Sequence, residues 1–302
     1  MHKPAVFFLI TFLLTGSPAL AVDPALQVAS LESGNQHRIE RETATDIWKS
    51  LNPDKLKLRS ASALVVDSNG NDVYAKDENE IRPIASITKL MTAMVTLDSR
   101  LPLQDQLTIT KADRDRIKLT GSRLQYGATL TRKELLYLAL MSSENRAAAA
   151  LGRNYPGGTQ AFVAAMNKKA QSLGMKDSRF ADPAGLKKGN VSSARDLVKM
   201  VSAAMKYALI KKATTTRKMT VFPFKNRGPL QYANTNRLLK NENWGINLSK
   251  TGYIREAGRC LTMQAEIASQ PLVIVLLNSY GKLSPIGDSN RIRKWIESET
   301  DS

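Results

Sequence analysis

The chain has 302 residues, 42% of them hydrophobic and 24% charged, with a formal net charge of +17; this is enough apolar material for a packed core and excludes a disordered chain. Its one cysteine, Cys260, excludes an intramolecular disulfide. With only His2 and His37 beside it, a zinc site lacks ligands and a Ser-His-Asp triad has a single histidine to draw on, so neither metal nor cofactor is expected.

His2 and Lys3 open the chain, followed by an apolar run over residues 5–14, the helix breakers Gly16 and Pro18, and Ala19-Leu20-Ala21. That is the layout of a secretory leader cleaved after Ala21; an uncleaved N-terminal anchor is the other reading, although the run is too short to span a bilayer comfortably. The longest later apolar stretch, residues 271–277, has only strand length. For an exported chain the basic excess suits a loose association with anionic membrane or an acidic wall polymer, and no nucleic acid is expected. The cations are scattered, which also suits a plain solvated surface.

Residues 22–56 are polar and mixed and read as an N-terminal extension with a short helix around 43–51. Residues 60–66 and 72–75 are β-prone and flank Ser68-Asn69-Gly70-Asn71, a hairpin signal. Residues 87–97 carry Leu90, Met94 and Leu97 at helical spacing. Thr131 and Glu134 form a capping-box pattern ahead of the apolar run 135–141. Helices are expected at 147–151, at 159–173 (stopped by Gly174) and at 194–209, with 180–193 a loop containing Pro183, Gly185 and Gly189. Strands follow at 245–253, 260–267 and 272–280, then a last helix at 289–297 packing Ile292, Trp295 and Ile296. Strands at both ends and helices between them predict an α+β fold. One antiparallel sheet is built from both chain ends and flanked by helices, with a helical insertion over about residues 100–210.

Three short motifs carry the chemistry. In Ser86-Ile87-Thr88-Lys89 one helical turn brings a hydroxyl and an amine to one face, at a helix N-terminus that favours developing negative charge. Alone, it is equally an N-cap serine before a surface lysine. Ser143-Glu144-Asn145 offers a hydroxyl and an amide after an apolar helix, and Lys250-Thr251-Gly252 a cation, a hydroxyl and an open backbone edge on a strand. Each alone is weak.

Together and in this order they match the S-x-x-K, S-x-N, K-T-G set of penicillin-recognising serine enzymes. The segment Pro83-Ile84-Ala85-Ser86-Ile87-Thr88-Lys89-Leu90-Met91 resembles the active-site segment of the low-molecular-mass penicillin-binding proteins, the serine D-alanyl-D-alanine peptidases. The likeness continues through Phe180-Ala181-Asp182-Pro183-Ala184-Gly185-Leu186 and Lys250-Thr251-Gly252-Tyr253, and covers roughly residues 60–280. It implies a β-lactamase/transpeptidase-like fold over a peptidase domain at 57–302, a periplasmic location, peptidoglycan peptide stems as substrate and β-lactams as covalent inhibitors. It also implies Ser86, Lys89 and Ser143 as catalytic residues, and Asn145, Lys250, Thr251, Gly252 and Tyr253 as substrate-binding residues. Ser-Glu-Asn as the middle motif, and a chain that stops one helix after its last strand, are more similar to the soluble endopeptidase branch. The membrane-anchored carboxypeptidases continue into a second β-rich domain and an amphipathic helix.

Without a usable histidine, Ser86 needs Lys89 as its base. An ordinary lysine near pKa 10.4 is neutral only about once in 2,500 molecules at pH 7, so its pKa must be lowered. Lys250, the helix N-terminus and partial burial are the available causes. The backbone N–H of Ser86 and, as the resemblance implies, that of Tyr253 would form the oxyanion hole. A class A β-lactamase needs a deacylating glutamate after the middle motif, and residues 180–193 offer Asp182 but no glutamate. A D,D-carboxypeptidase shares all the chemistry, and a basic wall-binding protein with a relic serine is the non-enzymatic alternative. Cys260 reads as an inert core thiol, Trp48, Trp244 and Trp295 as packing, with a groove-lining role open for Trp244, and Asp182 and Arg195 as loop-ordering residues.

Overall fold

The computed structural model describes residues 48–300, with side chains to Ser298. The expected leader, its cleavage site and most of the N-terminal extension lie outside the described residues.

In chain order, β1 (Ser60–Val66) and β2 (Asp72–Lys76) form the expected hairpin, where Asp67 accepts from the backbone N–H groups of Asn69 and Asn71. The short β3 (Arg82–Pro83) leads into helix α1 (Thr88–Asp98). A ribbon of β4 (Gln106–Thr108) and β5 (Thr129–Thr131) precedes α2 (Arg132–Met141), α3 (Asn145–Arg153) and α4 (Gly158–Ser172). Then β6 (Val191–Ser192) returns to pair with β3, followed by α5 (Ala194–Ala204) and α6 (Ala208–Thr215). A second ribbon, β7 (Lys218–Val221) and β8 (Leu230–Ala233), leads to β9 (Gly245–Ile254), β10 (Gly258–Ile267), β11 (Gln270–Ser279) and α7 (Ser284–Thr300).

The main sheet is antiparallel in the order β2-β1-β11-β10-β9, so the two chain ends meet as expected: Ser60 lies opposite Ser279 and Val66 opposite Val273. Period-2 alternation sends Leu64, Val66, Val275 and Leu277 to a core shared with α1–α6. The intervening Ala63, Val65, Ile274 and Leu276 face a second core under α7. Both sheet faces are covered, which is why these strands read as nearly continuous apolar runs. Trp48, Leu51 and Leu56 belong to that second core, so the end of the predicted extension packs with the sheet. Asp288 of α7 accepts from the backbone N–H of Arg59 and of Ser60 and from the Ser60 hydroxyl, tying the last helix to the first strand.

Three features depart from the sequence reading. The helix expected over 194–209 breaks before Ala208, because Tyr207 turns extended and its hydroxyl donates to Asp98 at 2.7 Å and accepts from Lys169 at 3.1 Å. The last helix begins at Ser284, five residues earlier than expected, with Pro285 in its first turn. The ribbon β4–β5 was not anticipated. The Thr131–Glu134 capping box forms as predicted, with reciprocal hydrogen bonds of 3.1 and 2.8 Å.

Candidate active site

Helix α1 is buried from Thr88 to Thr96 and fixes one wall of a cleft. Ser86 sits in the short turn before it, and Lys89 one turn on is completely buried. Ala85 holds a left-handed φ of +48°, a strained conformation for a residue with a Cβ. Two close backbone approaches hold it there. A Cβ on Gly185 would lie 2.0 Å from the Ala85 carbonyl oxygen, and one on Gly252 would lie 2.9 Å from that of Ile84 and 3.1 Å from the Ser86 nitrogen. Glycine at both positions lets the 180–193 loop and β9 close on the serine from two sides.

Lys89 Nζ lies 2.7 Å from Ser86 Oγ, 2.8 Å from Asn145 Oδ1 and 2.6 Å from the Ala184 carbonyl oxygen. Burial drives its pKa from 10.5 down to about 7, against the pull of Asp182, Glu144 and Asp115, whose charges raise it. Of the three causes the sequence offers, burial is the one that acts most strongly on Lys89, while Lys250 is not among the charges that shift it. Lys250 on β9 is also buried. It donates to Ser143 Oγ at 3.0 Å and to the Thr251 carbonyl at 2.9 Å, and its pKa is held well below 10.5, first by burial and then by Lys89. Ser143, with φ +60°, forms the turn between α2 and α3, and Glu144 caps α3 by accepting from the Arg146 backbone N–H at 3.1 Å.

All eight predicted residues gather at this cleft, whose volume is about 540 Å³. Ser86, Ser143, Asn145, Thr251, Gly252 and Tyr253 line it, while Lys89 and Lys250 stand behind the two serines. Thr251 Oγ1 donates to Thr235 Oγ1 at 2.6 Å, and Tyr253 is 55% exposed with the Arg259 guanidinium 4.3 Å from its ring centroid. β9 is the edge of the sheet. Trp244 packs in the core under α7 instead of lining the cleft. Cys260 has its side chain buried, and burial pushes its pKa up to about 11, as suits an inert thiol.

The sequence reading missed Asp115 and Thr120. Asn145 donates from Nδ2 to Thr120 Oγ1 at 2.9 Å, and Thr120 in turn donates to Asp115 Oδ2 at 2.7 Å. Asp115 also accepts from the backbone of Ile117, Lys118 and Thr120. Asp182 orders the opposite loop by accepting from the backbone N–H groups of Ala184, Gly185, Leu186 and Lys187, which presents the Ala184 carbonyl to Lys89. Arg195 pairs with Asp72 and Glu78. The Asx-type turns at Asp115 and Asp182 are the only local signal, and neither announces what it supports.

A family model described as D-alanyl-D-alanine carboxypeptidase matches residues 49–281. The chain is 46% identical to the D-alanyl-D-alanine endopeptidase of Pseudomonas aeruginosa over 246 residues, which is 81% of this chain and 79% of the relative. It is 46% identical to that of Escherichia coli K12 over 242 residues, 80% of this chain and 78% of the relative. Among solved structures, the Streptomyces K15 DD-transpeptidase superposes with a TM-score of 0.74 at 28% identity, covering 80% of this chain and 98% of that one.

Proposed function

The chain belongs to the D-alanyl-D-alanine carboxypeptidase family of serine peptidases, and from that premise we propose that Ser86 carries out its D,D-peptidase chemistry. The protein is a serine-type D-alanyl-D-alanine hydrolase, an endopeptidase that cuts D-alanyl cross-links between peptidoglycan peptide stems. The observation that carries the residue assignment is the 2.7 Å contact between Ser86 Oγ and a completely buried Lys89 amine.

A neutral lysine amine has two N–H bonds and one lone pair. The Ala184 carbonyl and Asn145 Oδ1 only accept, so they occupy the two N–H bonds and the lone pair is left facing the Ser86 hydroxyl. Asn145 is held in this sense because its Nδ2 is committed to Thr120, whose hydroxyl proton is committed to Asp115. Asn145 is thereby a positioning residue as well as a cleft wall. Lys89 accepts the Ser86 proton as Oγ bonds to the D-alanyl carbonyl carbon. The Ser86 and Tyr253 backbone N–H groups stabilise the oxyanion, and one such donor is typically worth about 10²–10³ in rate. The C–N bond then breaks as the proton held by Lys89 passes through Ser143, steered by Lys250, to the leaving amine; an ester remains on Ser86 and Lys89 is neutral again. Water, deprotonated by Lys89, then bonds to the ester carbon; the bond to Ser86 Oγ breaks and Oγ takes the proton back from Lys89. Thr251 binds substrate beside Gly252, whose missing side chain lets the strand approach. A β-lactam enters the same path and stops at the ester.

Export to the periplasm with cleavage after Ala21 is supported by the leader pattern. The basic excess supports a loose association with anionic wall or membrane, and among the described residues no helix is long and apolar enough to cross a bilayer. The deciding experiment digests purified cross-linked muropeptide dimers and uncross-linked pentapeptides with wild type and Ser86→Ala. Wild type releases monomers from dimers and the variant releases none; retained cutting by Ser86→Ala refutes the assignment. Loss of terminal D-alanine alone would select the carboxypeptidase reading, which the family description favours.

A further inference from the structure

We propose that the cleft beyond Thr251 is a subsite for the leaving half of a cross-link, an anionic peptide stem held through its carboxylates by Arg237, Lys240 and Lys282. This inference rests on the endopeptidase reading above and names how the second stem is recognised.

The cleft wall is one-signed. Of its 18 lining residues four are cationic, Arg237, Lys240, Arg259 and Lys282, and none is acidic. The neighbouring cavity on the far side of Asn145, about 450 Å³, is different: Asp113, Asp115 and Asp182 stand among its cations, and Arg153 is bonded to Asp113 at 2.8 Å. Arg237, Lys240 and Lys282 are exposed, and among the described residues none of the three has an ion pair or a side-chain hydrogen bond. Arg259 is occupied by the Tyr253 ring. Unneutralised charge of one sign in a concavity focuses the field on a ligand of the opposite sign.

The cations share one cavity with the group that serves the departing amine. Ser143, the proton donor to the departing amine, lines this cavity with Thr251 and Thr235. Two residues after Thr235, the single turn Arg237–Lys240 carries both Arg237 and Lys240. A carboxypeptidase releases one D-amino acid, whose single carboxylate needs little room. An endopeptidase releases a whole stem with several carboxylates, and this cleft offers both the volume and the charge for it.

The experiment compares kcat/KM for a cross-linked dimer and for an uncross-linked pentapeptide in wild type and in Arg237→Ala/Lys240→Ala, with labelling by fluorescent penicillin reporting that the variant is folded. The expected result is a loss of about tenfold for the dimer beyond any loss for the pentapeptide, shrinking at high salt. A dimer whose leaving-stem carboxylates are amidated should lose a similar factor with wild type and little more with the variant. Equal losses on dimer and pentapeptide, or additive losses from amidation and mutation, overturn the subsite while leaving the endopeptidase reading intact. Failure of wild type to cut the dimer overturns the endopeptidase reading itself. A variant that keeps its dimer selectivity but no longer binds polyphosphate assigns the cations to a wall polymer and also overturns the proposal.

Discussion

Lys89 and Lys250 are the same residue type, equally buried, on opposite walls of one cleft, yet their surroundings differ. Lys89 lies in the field of Asp182, Glu144 and Asp115, and its Nζ is surrounded by three oxygens. Around Lys250 the acting charge is that of Lys89, and its partners are the Ser143 hydroxyl and a backbone carbonyl. Burial pushes both amines toward neutrality, and the carboxylates determine where the first one stops, near pH 7. The comparison separates a group tuned to exchange a proton from one that steers a hydroxyl.

The strongest way to break this comparison is Lys89→Met, which keeps the volume and removes the base. The acylation rate with penicillin should fall by about 10²–10⁴, and a smaller loss would mean that another group takes the Ser86 proton. The pH profile sharpens it: below about 7 Lys89 is an ammonium with no lone pair, so kcat/KM should rise with pH through about 7 and then level. Thr120→Val frees the Asn145 amide to rotate and should cost about tenfold in acylation, with Thr120→Ser restoring most of it; equal losses in both variants would make the contact one of packing alone. Asp182→Asn removes a carboxylate that raises the Lys89 pKa, so the rising limb should move to lower pH; an unmoved limb would discard that carboxylate as a tuning charge. Smallest in its effect on chemistry is Trp295→Ala on the far face of the sheet, which should cost about 3–5 kcal/mol of stability in denaturant unfolding. It should leave the acylation rate near wild type.

Much of this arrangement was legible because it is local. The Asn-Gly hairpin, the Thr131–Glu134 capping box and the three long strands are written in contiguous residues, and Ser86 and Lys89 stand one helical turn apart. Three motifs in a fixed order then placed the remote residues. What stayed hidden depends on contacts across the fold. Thr120 and Asp115 lie in a stretch without periodicity, and Thr120 matters only because the chain brings Asn145 to it. The acceptor at Ala184 is a backbone carbonyl, which any residue type would supply. Tyr207 breaks a favourable helical pattern for the sake of Asp98 and Lys169 on other helices. Three-residue strands such as β4 and β5 carry too little alternation to be recognised.

The pairing of β1 with β11 has a consequence for how the molecule is made. Ser60 finds Ser279 only after nearly the whole polypeptide has left the ribosome, and Asp288 joins them later still. Helices α1 to α6 are all synthesised before β1 gains β11, its second neighbour in the sheet. Contacts so distant along the chain slow folding, because a loop of more than two hundred residues must close before β1 and β11 can pair.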